Sequence, residues 1–229
     1  MSFIASGLAF VFLLATQGTA QSAKTPYPSM APVAQYLMPS DAEISLARSA
    51  APKSISGDAE ILILTKDGYQ TAVKGTNGFV CMVARSWSAD YDDPGFWDPR
   101  LRAPICYNAL AARSQVPATI KRTQVVLSGG SQAQVLTAIK AAIQSGELPT
   151  AEAGSMAYMM SKQAYLNYRV GPWLPHLMFF TPATDPKSWG AGLPDSPILG
   201  IRRPEERLTV FLIPLGRWSD GTSSGSEGH

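Results

Sequence analysis

Histidine and cysteine are scarce in this chain, with two of each among 229 residues. A serine-based triad needs a histidine to take the proton of the nucleophile, so only His176 or His229 could serve. His229 lies in a tail of small polar residues, a poor support for a general base. Gly221-Thr222-Ser223-Ser224-Gly225 matches the letters of a nucleophile elbow, but that motif works between a strand and a helix and no helix follows it here. Two thiols and two imidazoles at positions 81, 106, 176 and 229 fit no zinc spacing. Charge of one sign is also lacking. The formal net charge is +2, and the basic residues are spread from Lys24 to Arg217, so no broad basic face exists for phosphates and nucleic acid is excluded as a partner. No Walker lysine or dinucleotide fingerprint accompanies Ser128-Gly129-Gly130-Ser131, and no cofactor is implied. The longest apolar run falls short of the roughly 20 residues that span a bilayer, which excludes a transmembrane anchor once a leader is removed.

That run is itself informative. Residues 3–15 are thirteen uncharged positions rich in Phe, Ile, Leu, Val and Ala, followed by Gly18-Thr19-Ala20, whose small side chains suit a signal peptidase. The pattern predicts a signal peptide over 1–20, although its first four residues carry no Lys or Arg, and a mature protein that starts near Gln21 and is exported to the periplasm or beyond. In an oxidising compartment an even pair of cysteines is expected to bond, so Cys81 to Cys106 is predicted to close a loop of 26 residues, with a stabilisation of about 3 kcal/mol in the chain-entropy treatment. Two buried free thiols, or two metal ligands, are the alternatives.

With 45% apolar residues the mature chain can bury a core, and its length suits one domain. Proline punctuates residues 21–39, which read as an extended lead-in with a short helix at 33–37. Ser40 and Glu43 have capping-box spacing and predict a helix to about Ala50. Residues 60–85 read as a β-meander of three antiparallel strands turned at Asp67-Gly68 and at Asn77-Gly78. A short helix near Tyr107 and another after Pro117 are expected, with 124–127 open to a strand reading. Residues 131–145 carry Val135, Leu136, Ile139, Ala142 and Ile143 on one stripe, the cap pair Ser131 and Gln134, and the stop Gly146. Residues 157–161, 176–180 and 208–213 read as strands. The expected fold is therefore α+β: an antiparallel meander-based sheet of about five or six strands with packed helices over 40–218, then a disordered tail over 219–229.

The loop 86–104 combines Trp87, Tyr91, Phe96 and Trp97 with Asp90, Asp92, Asp93, Asp98, Arg100 and Arg102. Pro94 and Leu101 stand where a calcium-binding EF-hand needs ligands, so that motif is excluded, and the carboxylates are read as solvated or paired with Arg100 and Arg102. Trp87, Tyr91 and Trp97 could present a binding surface, or the two tryptophans could tuck the loop onto the sheet. His176 opens an apolar strand after Pro175 and is the remaining candidate for a binding or catalytic imidazole. Glu205-Glu206 beside Arg202, Arg203 and Arg207 reads as a solvated charge cluster in a loop.

Asn77-Gly78-Phe79-Val80-Cys81, Ala103-Pro104-Ile105-Cys106, Met159-Met160-Ser161 and Pro175-His176-Leu177-Met178-Phe179-Phe180 together resemble a family of exported bacterial proteins of unknown function. The resemblance extends to Trp189-Gly190-Ala191 and Trp218-Ser219-Asp220-Gly221-Thr222. It implies export and a Cys81 to Cys106 pairing, and assigns no catalytic residue. The family pattern often carries a second histidine two positions before His176, where this chain has Leu174. The functional expectation is a non-catalytic binding or envelope-associated domain with a small ligand or a protein as partner. The rival is a hydrolytic or metal-assisted enzyme built on His176 and the loop carboxylates.

Overall fold

The computed structural model describes residues 27–166 and 174–225. The expected leader, the start of the lead-in and the last four residues of the tail lie outside this range. The chain builds helices α1 (Ser40–Arg48), α2 (Lys53–Ser56), α3 (Ala109–Leu127) and α4 (Gln132–Ser145). Its strands are β1 (Glu60–Thr65), β2 (Gly68–Val73), β3 (Val80–Ala84), β4 (Ala103–Tyr107), β5 (Met156–Met159), β6 (His176–Pro182), β7 (Leu199–Arg203) and β8 (Leu208–Pro214). They form one mixed sheet in the order β2-β1-β3-β4-β5-β6-β8-β7. The α+β class holds, but the sheet has eight strands rather than five or six. The two that sequence reading missed, β4 and β7, contain Pro104 and an Arg pair, residues that argue against strands when only local preference is weighed.

The meander over 60–85 is corrected. β1 and β2 form the expected hairpin, but β3 does not follow β2; it crosses over and pairs with β1 in parallel. β2 has polar, exposed residues along its centre and so suits an edge, leaving the apolar β1 and β3 to be neighbours inside the sheet. The crossover passes directly over the start of β1: Thr76 N donates to the Asp58 carbonyl and Glu60 N to the Phe79 carbonyl, both at 2.8 Å. Gly75 permits this, because a Cβ there would lie 2.1 Å from Glu60 N.

Period-two alternation assigns side chains to the two faces of the sheet. On one face α1 packs over β1, β3 and β4, where Leu46 and Ala47 meet Ile61, Val83 and the Cys81–Cys106 disulfide. Those cysteines are directly opposed on antiparallel β3 and β4, so the bridge staples adjacent strands. On the other face α3 covers Leu62, Met82, Ile105 and Tyr107, and α4 packs on α3 through Val126, Val135, Ile139 and Ala142. α4 follows its sequence closely, with the Ser131–Gln134 capping box formed and Gly146 left-handed at φ 78°.

Two helix expectations and that of a disordered tail are also corrected. α3 is one helix of 19 residues, capped by Asn108 and running through Pro117, rather than two short ones, and 124–127 belong to it. Its buried stripe from Ala111 to Val126 supplies the packing that outweighs the proline. The Ser40–Glu43 capping box does not form, because Glu43 turns inward to a buried arginine. The lead-in is part of the core: Tyr36 is fully buried and its hydroxyl donates to the Trp97 carbonyl at 2.8 Å. The expected disorder from 219 onward gives way, up to Gly225, to a turn in which Trp218 N donates to the Thr222 carbonyl and the Asp220 carboxylate accepts from Thr222.

Candidate functional site

The sheet extends beyond α1 and α3 toward β6, β8 and β7, and on the α3 side this leaves a cavity of about 270 Å³. Its floor is apolar: Ala103 and Ile105 of β4, Met159 of β5, Met178 and Phe180 of β6, and Leu212 of β8. The wall is α3, which contributes Gln115, Ala118, Thr119 and Arg122, and the roof is the segment that begins at Arg85 and carries Ser88, Asp90 and Asp93. Strand alternation explains the floor. His176, Met178 and Phe180 face the cavity, whereas Phe179 lies on the opposite face against Trp189.

His176 therefore shares one cavity with Asp90 and Asp93 of the aromatic loop. It is 4% exposed, and its Nδ1 lies 2.9 Å from the Leu174 carbonyl, which assigns the proton to that nitrogen. Burial pulls its pKa below the ordinary histidine value, only partly offset by the bond to Leu174, so the ring is neutral at pH 7. The other three candidates sit elsewhere. Trp87 is fully buried, its ring against Tyr36 and its Nε1 donating to Thr123 Oγ1 at 2.9 Å, and Trp97 packs edge-on against Phe96. Both tryptophans tuck the loop inward, against α3, α4 and the lead-in more than against the sheet. Tyr91 is partly buried beneath the Arg122 guanidinium, 4.2 Å from its ring centroid.

The charged residues around the cavity are interlocked, and sequence reading missed most of them. Glu43 and Arg85, on α1 and just after β3, form an ion pair at 2.8 Å with no exposed side-chain surface on either partner. Arg85 Nε donates to the Tyr36 carbonyl and Nη1 to the Val83 carbonyl. Arg122 on α3 gives Nη1 to the Trp87 and Ala89 carbonyls, each at 2.9 Å, and Nη2 to Glu206. Burial alone would raise the Glu206 carboxyl, but the Arg122 and Arg203 charges and the hydrogen bond from Arg122 hold it below its usual range. Arg203 Nε lies 2.9 Å from Asp90 Oδ1, a charge pairing by separation although the N–H is not aligned on the oxygen.

The solvated cluster expected at 202–207 is thus corrected. Arg203 and Glu206 belong to the cavity wall, Glu205 pairs with Lys140 at 3.6 Å, and Arg202 and Arg207 face solvent. Arg122 carried a sequence signal, since it falls on the same helical stripe as Ala111, Thr119 and Val126, where a charge announces a buried partner. Of the loop carboxylates, Asp98 pairs with Arg100 through two hydrogen bonds of 2.9 and 3.0 Å, as expected, while Arg102 donates to the Pro99, Leu101 and Gln35 carbonyls. Burial draws the Arg102 guanidinium down to about 10.

Among the described residues no group of three or more His, Cys, Asp or Glu side chains is placed to hold a metal ion, and no helix is long and apolar enough to cross a membrane. No protein-family model, curated protein or solved structure matches this chain.

Proposed function

We propose that this protein is an exported binding domain that takes a small, mostly apolar molecule into the cavity between α3 and the β4-β5-β6-β8 floor. The observation that carries the reading is the cavity itself: concave, apolar at its base, and framed by a few polar groups, the usual form of a small-molecule site. The carboxylates Asp90 and Glu206 are paired with Arg203 and Arg122, which favours retention of a ligand over turnover. Export is supported by the leader-like residues 1–20, the resemblance to exported bacterial proteins and the Cys81–Cys106 bridge, which belongs in an oxidising compartment.

Saturable fluorescence enhancement of the uncharged probe N-phenyl-1-naphthylamine, with one site per chain, tests the binding reading. Loss of that enhancement in a folded Met178→Trp variant would place the probe in the cavity. Mass analysis of secreted protein tests export: the expected N-terminus is Gln21, and a cytosolic product retaining Met1 and two free thiols would sink the idea.

One observation favours a second reading. His176, Asp90 and Asp93 line the same cavity, so a hydrolytic activity using the imidazole as base has a place to act. Hydrolysis of p-nitrophenyl esters by the wild type, abolished in His176→Ala, would favour it over simple binding.

A further inference from the structure

We infer that the ligand of this cavity carries no net charge; the inference rests on the binding reading above and narrows it to a chemical class. Among the described residues, three arginines and three carboxylates line the cavity: Arg85, Arg122 and Arg203 with Asp90, Asp93 and Glu206. Arg85 is held by Glu43 and two carbonyls, and Arg122 by Glu206 and two carbonyls. Arg203 faces Asp90, while Asp93 accepts from Gly95 N at 2.6 Å. His176 is buried and uncharged.

A carboxylate or phosphate entering this space would therefore meet guanidinium groups whose charges are already paired with Glu43, Glu206 and Asp90, above a floor of Ile105, Met159, Met178, Phe180 and Leu212. An ion desolvated without a partner is strongly disfavoured, so the cavity discriminates against anions. An ammonium ligand meets Glu206 and Asp90 already paired with Arg122 and Arg203, and Asp93 already accepting from Gly95 N. A neutral polar anchor is present. The Ser88 hydroxyl is buried in the roof with no partner among the described residues, and a hydroxyl can both donate to and accept from an alcohol, ketone, ester or amide. The structure thus assigns the site to compact, uncharged, largely apolar molecules bearing one such group.

The test uses the mature, oxidised protein and displacement of N-phenyl-1-naphthylamine at pH 7 by matched competitors: octanol against octanoate, and benzyl alcohol against benzoate and benzylamine. Each alcohol is expected to displace the probe at a concentration about tenfold or more below its charged counterpart. Ser88→Ala is expected to weaken the alcohols severalfold while leaving toluene, which has no polar group, unchanged. Equal or stronger displacement by octanoate, benzoate or benzylamine would overturn the uncharged class while leaving the cavity as a binding site. Unchanged alcohol binding in Ser88→Ala would overturn the anchor. Failure of the wild type to bind the probe, or full binding by folded Met178→Trp and Leu212→Phe variants alike, would overturn the cavity reading and this inference together.

Discussion

Glu43 Oε1 and Arg85 Nη2 lie 2.8 Å apart with both side chains wholly removed from solvent, joining α1 to the strand end that begins the cavity roof. The same Glu43 oxygen accepts from Leu64 N at 3.0 Å. One carboxylate thus ties a helix, the end of β1 and the residue after β3 together. Its second oxygen, Oε2, has no partner among the described residues and suits a buried water.

Removing one member of such a pair strands the other charge in an apolar interior. Glu43→Leu or Arg85→Met alone is expected to destabilise the fold by about 3–5 kcal/mol, whereas the double substitution should cost less than the sum of the two. Urea denaturation of the three variants measures this. A single substitution that costs under about 1 kcal/mol would show that the pair contributes little.

Reduction of the Cys81–Cys106 bridge restores the entropy of a 26-residue loop to the unfolded chain. The Cys81→Ala, Cys106→Ala double variant should therefore lose about 3 kcal/mol, read as a lower urea midpoint with little change in the native circular dichroism spectrum. Because β3 and β4 are also hydrogen-bonded neighbours, the strands should stay paired in the native state. Native stability identical to that of the oxidised wild type would refute this account.

His176 gives stability a direction in pH. Its folded pKa lies below the unfolded value, so the unfolded chain binds the proton first as pH falls, and the native state loses stability progressively from about pH 6.5 downward. Above that pH the contribution is fully present. Urea midpoints between pH 8 and 5 should fall for the wild type and fall less for His176→Gln. An imidazole titration by NMR at or above 6.5 in the folded protein would contradict the prediction.

Gly75 lies where the crossover from β2 to β3 rests on the β1 backbone. A methyl group there meets Glu60 N, Ala59 C and Glu60 Cα at 2.1 to 2.8 Å, all main-chain atoms that cannot rotate away. Gly75→Ala is expected to cost more than about 2 kcal/mol and to reduce soluble yield. Gly129→Ala is the control: nothing lies within 4 Å of its Cβ position, and only its left-handed φ of +84° opposes the change. Comparable thermal midpoints for the two variants would argue against the crossing being tight.

The features legible along the chain were local ones. The Ser131 cap, the apolar stripe and Gly146 defined α4; short apolar runs rich in Val, Phe and Ile marked β6 and β8; Asp67-Gly68 closed the first hairpin; and an even cysteine count anticipated the disulfide. These features depend on hydrogen bonds and periodicities among near neighbours in the chain, or on the pairing of two residues with no others to choose from. Tertiary structure decided the rest. Glu43 resembled a helix cap until Arg85, 42 residues away, drew it inward, and Glu206 resembled a solvent-facing charge until Arg122, separated by 84 residues, enclosed it. The parallel pairing of β1 with β3 and the cavity beneath α3 likewise come from burial shared by distant segments. Charge neutralisation in a desolvated interior depends on distance in space, and spacing along the chain carries almost no trace of it.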